Sequence, residues 1–493
     1  MGSGHDEIER GAAEDSTRHQ GSIRARRGVR LRHQRRRPRG AGCTLWSPLE
    51  ARPMKASIGL VLSLVGLSAA GCASAPDDDP GGDPGVGTPV TGPVRALVAL
   101  PATDHLDELA REPMIVETSD GALFVSGYGS GQPRLWRSAD GGATWEAVDV
   151  GTEEEGAIGN SDVDLAVGPD GTIYFANMSF DREKREGTGI SIGSSRDGGA
   201  SWTWSWLSQD RFDDRPWVEV APDGVAHAIW NDGEGVSYAV SSDRGQTWTE
   251  RPRIHPLGGS SHLAIGPAGE LAVRVTPLSA SGNRHDPGVD HVAVSTDGGL
   301  SWTQSELPGE RVWSAQFDPT VALLRWVEPL AWDGDGSLYA LSSEGTTLWL
   351  ARSTDRGGSW TRWPIAEGDE QLYFPYLVAR GRGELAATWF SSIGESLRVN
   401  LAHVEVGAGV DADADAEPRV AHAEAFPIPA FMDAGETPDP VEGGEDGELV
   451  RDSAGEYVPV VFLPAARLAV VTTIQDPATD RWGFTFRPYS LER

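Results

Sequence analysis

One eight-residue pattern recurs five times and fixes most of what this chain can become. Ser138-Ala-Asp-Gly-Gly-Ala-Thr-Trp145 returns as Ser195-Arg-Asp-Gly-Gly-Ala-Ser-Trp202, Ser241-Ser-Asp-Arg-Gly-Gln-Thr-Trp248, Ser295-Thr-Asp-Gly-Gly-Leu-Ser-Trp302 and Ser353-Thr-Asp-Arg-Gly-Gly-Ser-Trp360. The short Asp carboxylate can accept backbone N–H groups of its own turn, the glycine can take positive φ, and the tryptophan has a large apolar body to bury. Each copy therefore predicts a self-braced hairpin turn. The starts lie 46 to 58 residues apart, the length of one four-stranded sheet with its loops. A fixed period of that size indicates an array of like units.

A second repeat runs beside the first: an alternating apolar strand, a turn, and another strand. Its copies include Pro113-Met-Ile-Val before Asp120-Gly-Ala-Leu-Phe-Val, Pro216-Trp-Val-Glu-Val before Asp223-Gly-Val-Ala-His-Ala, and Pro375-Tyr-Leu-Val before Gly383-Glu-Leu-Ala-Ala. Period-2 runs joined by glycine turns are hairpin signals. Seven such units, the last being Pro459-Val-Val-Phe-Leu with Arg467-Leu-Ala-Val-Val, predict an all-β, seven-bladed β-propeller of four-stranded blades; six blades with 409–493 as an appendage is the alternative. Unit seven shows only three strand-like runs, so Val94-Arg-Ala-Leu-Val-Ala-Leu100 is expected to supply its fourth and close the ring.

The Ser-x-Asp-x-Gly-x-Thr/Ser-Trp pattern resembles the Asp-box, or BNR, repeat of sialidase-like β-propellers. In that family the Asp-box closes a turn between the outer strands of a blade, away from the catalytic face. The resemblance thus implies a structural role for Asp140, Asp197, Asp243, Asp297 and Asp355, and it argues fold far more than function.

Everything ahead of the repeats reads as address. Residues 1–53 carry 12 Arg and 6 acids and are expected to be a spurious or disordered basic extension, because a signal follows them. That signal, 54–71, runs from Met54-Lys55 through Ile58-Gly-Leu-Val-Leu-Ser-Leu-Val-Gly-Leu67 to Ser68-Ala-Ala-Gly-Cys72, too short to span a bilayer. Its end resembles a bacterial lipobox, with Ala69 where Leu is usual, which implies lipid attachment at Cys72. Residues 72–93 are Asp-, Gly- and Pro-rich and predict a disordered tether to the propeller, 94–493. The chain would thus be exported and held in the cell envelope, at the outer membrane or cell surface, by its lipid alone.

Charge narrows the partners. The whole chain carries −31; without the 13 basic and 6 acidic residues ahead of Cys72, 29 basic and 67 acidic remain, a net of −38. Nucleic acid is excluded as a partner and bare anionic membrane is a poor one. The two cysteines are Cys43 and Cys72, so the propeller holds no disulfide or thiolate metal site. An acidic insertion, 409–452, contains Asp411, Asp413 and Asp415; alternating carboxylates can gather calcium, but the central glycine of an EF-hand loop is missing and a solvated loop is the plainer expectation. No cofactor is otherwise expected.

Ligand chemistry is expected at the channel mouth, where the leading residues of the first strands gather. Arg111, Asp214, Arg215, Trp217, Trp326, Glu328 and Tyr373 suit a polyhydroxylated ligand, aromatic rings stacking on a pyranose and charged groups bonding its hydroxyls. By resemblance to sialidases, Arg111 would be the first clamping arginine, Glu328 the polarising carboxylate and Tyr373 the nucleophile. Other features depart from that family. Ser342-Ser343 stand where its second arginine falls, Arg274, Arg284 and Arg380 are loose matches to the third, and Phe124–Gln132 has no acid. The reading is a monomeric glycan- or protein-binding propeller, with a sialidase-like glycoside hydrolase or a non-catalytic scaffold as alternatives. A scaffold would have its channel mouth plugged by side chains.

Overall fold

The computed structural model describes residues 95–129, 133–184, 186–256, 258–277, 289–309, 329–368, 372–393, 396–407, 417–427, 457–476, 478–479 and 481–492, all within Gly81–Arg493. They form seven antiparallel sheets, and the chain is a seven-bladed β-propeller. The inner strands, in order, are Arg111–Glu117, Val163–Val167, Asp214–Val220, Gly258–Ile265, Leu330–Trp332, Leu372–Arg380 and Val460–Leu463. Each touches the next, and the seventh touches the first.

Blade seven closes the ring. Arg467–Asp476 and Arg481–Glu492 follow its inner strand, and Ala96–Ala99 then pairs antiparallel along the outer edge of Arg481–Glu492, with Ala96 opposite Glu492 and Ala99 opposite Tyr489. Thr103–His105 continues along the same edge, opposite Phe484–Phe486. Blade six corrects the expectation of a continuous acidic loop over 409–452. Arg419–Pro427 is its outer strand, paired with Ser396–Glu405, because Val420, His422 and Ala423 find cross-strand partners there.

The five Ser-x-Asp turns share one bonding pattern. In the first, Asp140 Oδ1 accepts from Ser138 Oγ at 2.8 Å and from the Thr144 N–H at 2.9 Å, and Oδ2 accepts from Thr144 Oγ1 at 2.6 Å. Ser138 Oγ in turn accepts from the Gly142 N–H at 2.9 Å. These bonds favour the ionised carboxylate, led by the Thr144 or Ser hydroxyl, and hold Asp140, Asp197 and Asp297 down at about 2. The turns stay braced at any ordinary pH.

The same turns join neighbouring blades. Gly142, Gly199, Gly245, Gly299 and Gly357 all have φ between +76 and +92°, and each lies against the preceding blade. A Cβ on Gly142 would meet the Phe486 ring at 2.2 Å, one on Gly299 the Tyr238 ring at 2.2 Å, and one on Gly357 Val292 at 2.9 Å. The turn tryptophan follows: Trp145 packs edge-on to Phe484 at 5.2 Å, and Trp302 edge-on to Tyr238 at 5.6 Å. Glycine is therefore required twice over, for its dihedral and for the close approach.

Ser241→Ala should destabilise the fold by about 1–3 kcal/mol, because it strips a buried hydroxyl from the Gly245 N–H and from Asp243 at once. Urea unfolding followed by tryptophan fluorescence measures this, and an unchanged midpoint would remove the turn from the stabilising set.

Candidate functional site

The rim of the channel is built by a repeated device. Ahead of the first regular pair in blades one, three and six, the register shifts between Arg111 and Met114, between Asp214 and Trp217, and between Tyr373 and Tyr376. Within each bulge one non-glycine residue has positive φ, Glu112 at 46°, Arg215 at 51° and Phe374 at 44°, and each precedes a proline. Both the left-handed dihedral and the position before proline are unfavourable, a strain of about 1–3 kcal/mol each. Glu112, Arg215 and Phe374 are buried; Arg111 and Asp214 begin their inner strands at the mouth, and Tyr373 is the second residue of its strand.

This arrangement brings Asp214, Arg215 and Trp217 together in blade three and sets Arg111 in blade one. Arg215 Nε lies 3.7 Å from Asp214 Oδ2, and the Arg111 guanidinium sits 5.7 Å from the centre of the Tyr128 ring. Trp217 is buried rather than open to a ligand face, and its ring meets Tyr457 at 5.4 Å and His262 at 5.0 Å, both edge-on. Trp326, Glu328, Cys72, Asp411, Asp413 and Asp415 lie outside the described residues, as does the side chain of Tyr373.

Just below the rim the channel is filled. Counting seven residues back from the turn glycines Gly121, Gly171, Gly224 and Gly269, and from Gly383, gives Met114, Asp164, Trp217, His262 and Tyr376, one level of the ring. His262 meets Tyr376 edge-on at 5.8 Å, so Tyr457, Trp217, His262 and Tyr376, from blades seven, three, four and six, make one chain of rings across the axis. Asp164 Oδ2 accepts from the Val218 N–H of the next blade at 2.8 Å. Two residues deeper, Glu219 lies close enough for its charge to act on Asp164 and Tyr376.

Burial dominates the electrostatics of this plug. It pushes Glu219 up to about 7 and Asp164 well above the usual carboxylate range, the nearby Glu219 charge adding to the latter. Burial likewise lowers His262 to about 4, so the ring is neutral, and raises the Tyr376 phenol. Asp164, Glu219 and Tyr376 escaped the sequence reading. Their signal is a polar residue at an inner position of an otherwise apolar strand, in Val163-Asp-Leu and Val218-Glu-Val, and it stands out once the repeats are aligned on their turn glycines.

Two of the loose arginine matches, Arg274 and Arg380, serve the framework. Arg274 is buried in an ion pair with Asp290 at 2.9 Å and donates to the Leu341 carbonyl at 3.0 Å. Arg380 pairs with Glu384 at 2.9 Å and covers the Phe462 ring at 4.1 Å. Asp181 holds Lys184 at 2.5 Å and is kept below the usual carboxylate range by that bond, which denies it the proton of a general acid. Arg284 lies outside the described residues, and Ser342 and Ser343 are buried in blade five. Among the described residues no cluster of three or more His, Cys, Asp or Glu is arranged to hold a metal.

No family model matches the chain, and no curated protein matches it. Solved structures resemble it distantly. A protein of unknown function from Dyadobacter fermentans DSM 18053 is 16% identical over 81% of this chain and 99% of its own, with a TM-score of 0.44. A polysaccharide lyase of family PL25, an ulvan lyase, is 11% identical over 78% and 95%, with a TM-score of 0.47. Trypanosoma rangeli sialidase is 14% identical over 59% of this chain and 54% of its own, at 0.37. Likeness of this degree carries no chemistry to this chain.

Glu219 gives the plug a pH signature. The native state keeps its proton up to about pH 7, whereas an unfolded glutamate releases it near 4.5, so the residue costs stability progressively between those values and most above 7. Glu219→Gln should therefore raise the unfolding free energy measured in urea at pH 8, by up to roughly 3 kcal/mol, and leave it unchanged at pH 4. An equal gain at both pH values would show that the carboxyl is not titrating in the plug. His262 acts in the opposite direction, its contribution being lost as pH falls from 6.5 towards 4.

Proposed function

We propose that this chain is an exported, lipid-anchored propeller that binds a glycan on the rim of its channel and does not hydrolyse it. The strained rim carries this reading: rings of Trp217, His262, Tyr376 and Tyr457 crossing the axis are by themselves what a scaffold predicts, and they leave a ligand with the mouth. There Arg111 and Asp214 stand at the leading ends of strained bulges, and strain of this kind collects where a surface must present groups in fixed positions.

Among the described residues, the engagement of Arg274 and Arg380 in framework ion pairs supports binding over cleavage. Sialidase chemistry needs positioning and proton transfer together, and Arg274 and Arg380, the described arginines that could match the clamp's third position, are each held in a framework ion pair. The anchor is Cys72, at the end of a charged and then apolar leader, with 72–93 as the tether that carries the propeller away from the membrane.

Two experiments test this. Cells expressing the full chain with radiolabelled palmitate should incorporate label that Cys72→Ser abolishes; label persisting in the variant refutes the anchor. The purified chain incubated with mixed sialylated and neutral glycans should retain some and cleave none by mass spectrometry, with retention weakened about tenfold by Arg111→Ala. Release of sialic acid would overturn the non-catalytic reading, and retention of no glycan would leave the rim as scaffold.

A further inference from the structure

Burial of Trp217 leaves the mouth without the aromatic platform that its position suggested, and the loop leading into blade three supplies another. Phe212 is 53% exposed and stands two residues before Asp214, where the inner strand begins at the mouth. We propose that the mouth binds an uncharged pyranose, stacked on the Phe212 ring, with carboxylates beside the ring accepting its hydroxyls. This inference rests on the rim reading above and names its platform and its class of sugar.

The ring is held outward by its surroundings. Phe212 has a φ of 72°, a left-handed dihedral that is an outlier for a bulky residue and persists only where neighbours enforce it. Two neighbours do so. The hairpin of blade two continues past Asn177, the partner of Val163, to Asp181 opposite Glu186, and its Gly187 carbonyl accepts from the Phe212 N–H at 3.0 Å. In blade three, Gly233 lies so close that a Cβ there would fall 2.8 Å from Phe212 Cβ, so glycine is required. Arg211 is fixed by Glu186 Oε2 at 2.9 Å, and its guanidinium lies over the Phe212 ring, 4.9 Å from the centre. Burying a phenyl ring would offset such backbone strain, but this residue stays more than half in solvent. The apolar C–H face of a pyranose is a surface of the right size and chemistry to cover it.

Charge selects the sugar. The cations near the ring are already matched: Arg211 by Glu186, Arg253 by Asp232 at 2.6 Å and Glu234 at 2.7 Å, while Arg215 lies 3.7 Å from Asp214. Asp210, exposed and two residues before Phe212, adds a further carboxylate. Carboxylates thus outnumber guanidinium groups around the ring, in a chain that itself carries −31, and this disfavours a sialic or uronic acid. Exposed carboxylates at Asp210 and Glu234 are acceptors, which suits the hydroxyl donors of a neutral sugar.

Titration calorimetry of the full chain with maltotetraose, cellotetraose, xylotetraose and mannotetraose, and with the anionic probes sialyllactose and tetragalacturonate, tests this. At least one neutral probe should bind, and more tightly than either anionic one. Phe212→Ala should weaken it about tenfold or more and Phe212→Trp should retain it. Phe212→Gly, free to take a φ of 72°, should lose binding while melting no lower than the parent chain. Binding of no probe would overturn this inference and the rim reading together. Preference for an anionic probe, or binding weakened by Arg111→Ala yet unchanged in Phe212→Ala, would overturn this inference alone. A lower melt for Phe212→Gly with binding intact would make the ring a strut of the fold and not a platform.

Discussion

The rest of the structure depends on the contact between a turn glycine and the blade before it. A propeller blade is a small twisted sheet with two apolar faces, and alone it could bury neither. Here the Ser-x-Asp turn sets the angle at which one blade meets the next, because the serine hydroxyl and the aspartate carboxylate hold the loop open while its glycine lets Phe486, Phe124 or Tyr238 approach within contact. The neighbouring tryptophan then fills what remains of the seam. The first of the five joints is made by blade one onto Phe486 and Phe484 of blade seven, so the seam that closes the ring carries one. Blades six and seven lack the turn, and blade seven is completed by hydrogen bonding, with Ala96–Ala99 and Thr103–His105 lying along its last strand.

Closing a seven-membered ring creates an axis that has to be filled or left wet, and this chain fills it. Four rings from four blades meet there, and burial disfavours charge on the polar groups among them: His262 is a neutral imidazole, and Asp164 and Glu219 have their pKa values pushed upward. Burying one ion without a partner would cost far more than the hydrogen bond from the Val218 N–H returns. The carboxyls are therefore better understood as part of a packed core with a shared electrostatic constraint than as a reactive pair, even though two raised carboxyls beside a tyrosine would suggest catalysis if met in an open pocket.

What could be read from the sequence divides along the same line. The blades, their number and the borrowed strand were legible because each rests on local chemistry repeated seven times, so a weak signal in unit seven could be judged against stronger copies. Arg419–Pro427 was missed because an acidic, glycine-rich flank masked a short alternating run. The interior of the channel was less legible. Trp217 looked like a platform because an aromatic residue near a strand's leading end is equally suited to stacking on sugar or on its neighbours, and only the approach of Tyr457, some 240 positions later in the chain, decides between them.

A filled axis also changes where recognition can evolve in such a ring. Residues that pack the channel answer to several blades at once, so replacing one alters contacts to the others, whereas the clefts between outer strands involve only two blades and leave the closure untouched. The joints are placed to protect that freedom: they lie at the Asp turns, while the cleft between the outer strands of blades two and three is bounded by strand faces and by the ion pairs of Arg253. Exposed residues such as Asp210 and Glu250 can thus vary there with little cost to the fold, a separation of scaffold from surface that residues packed across the axis do not have.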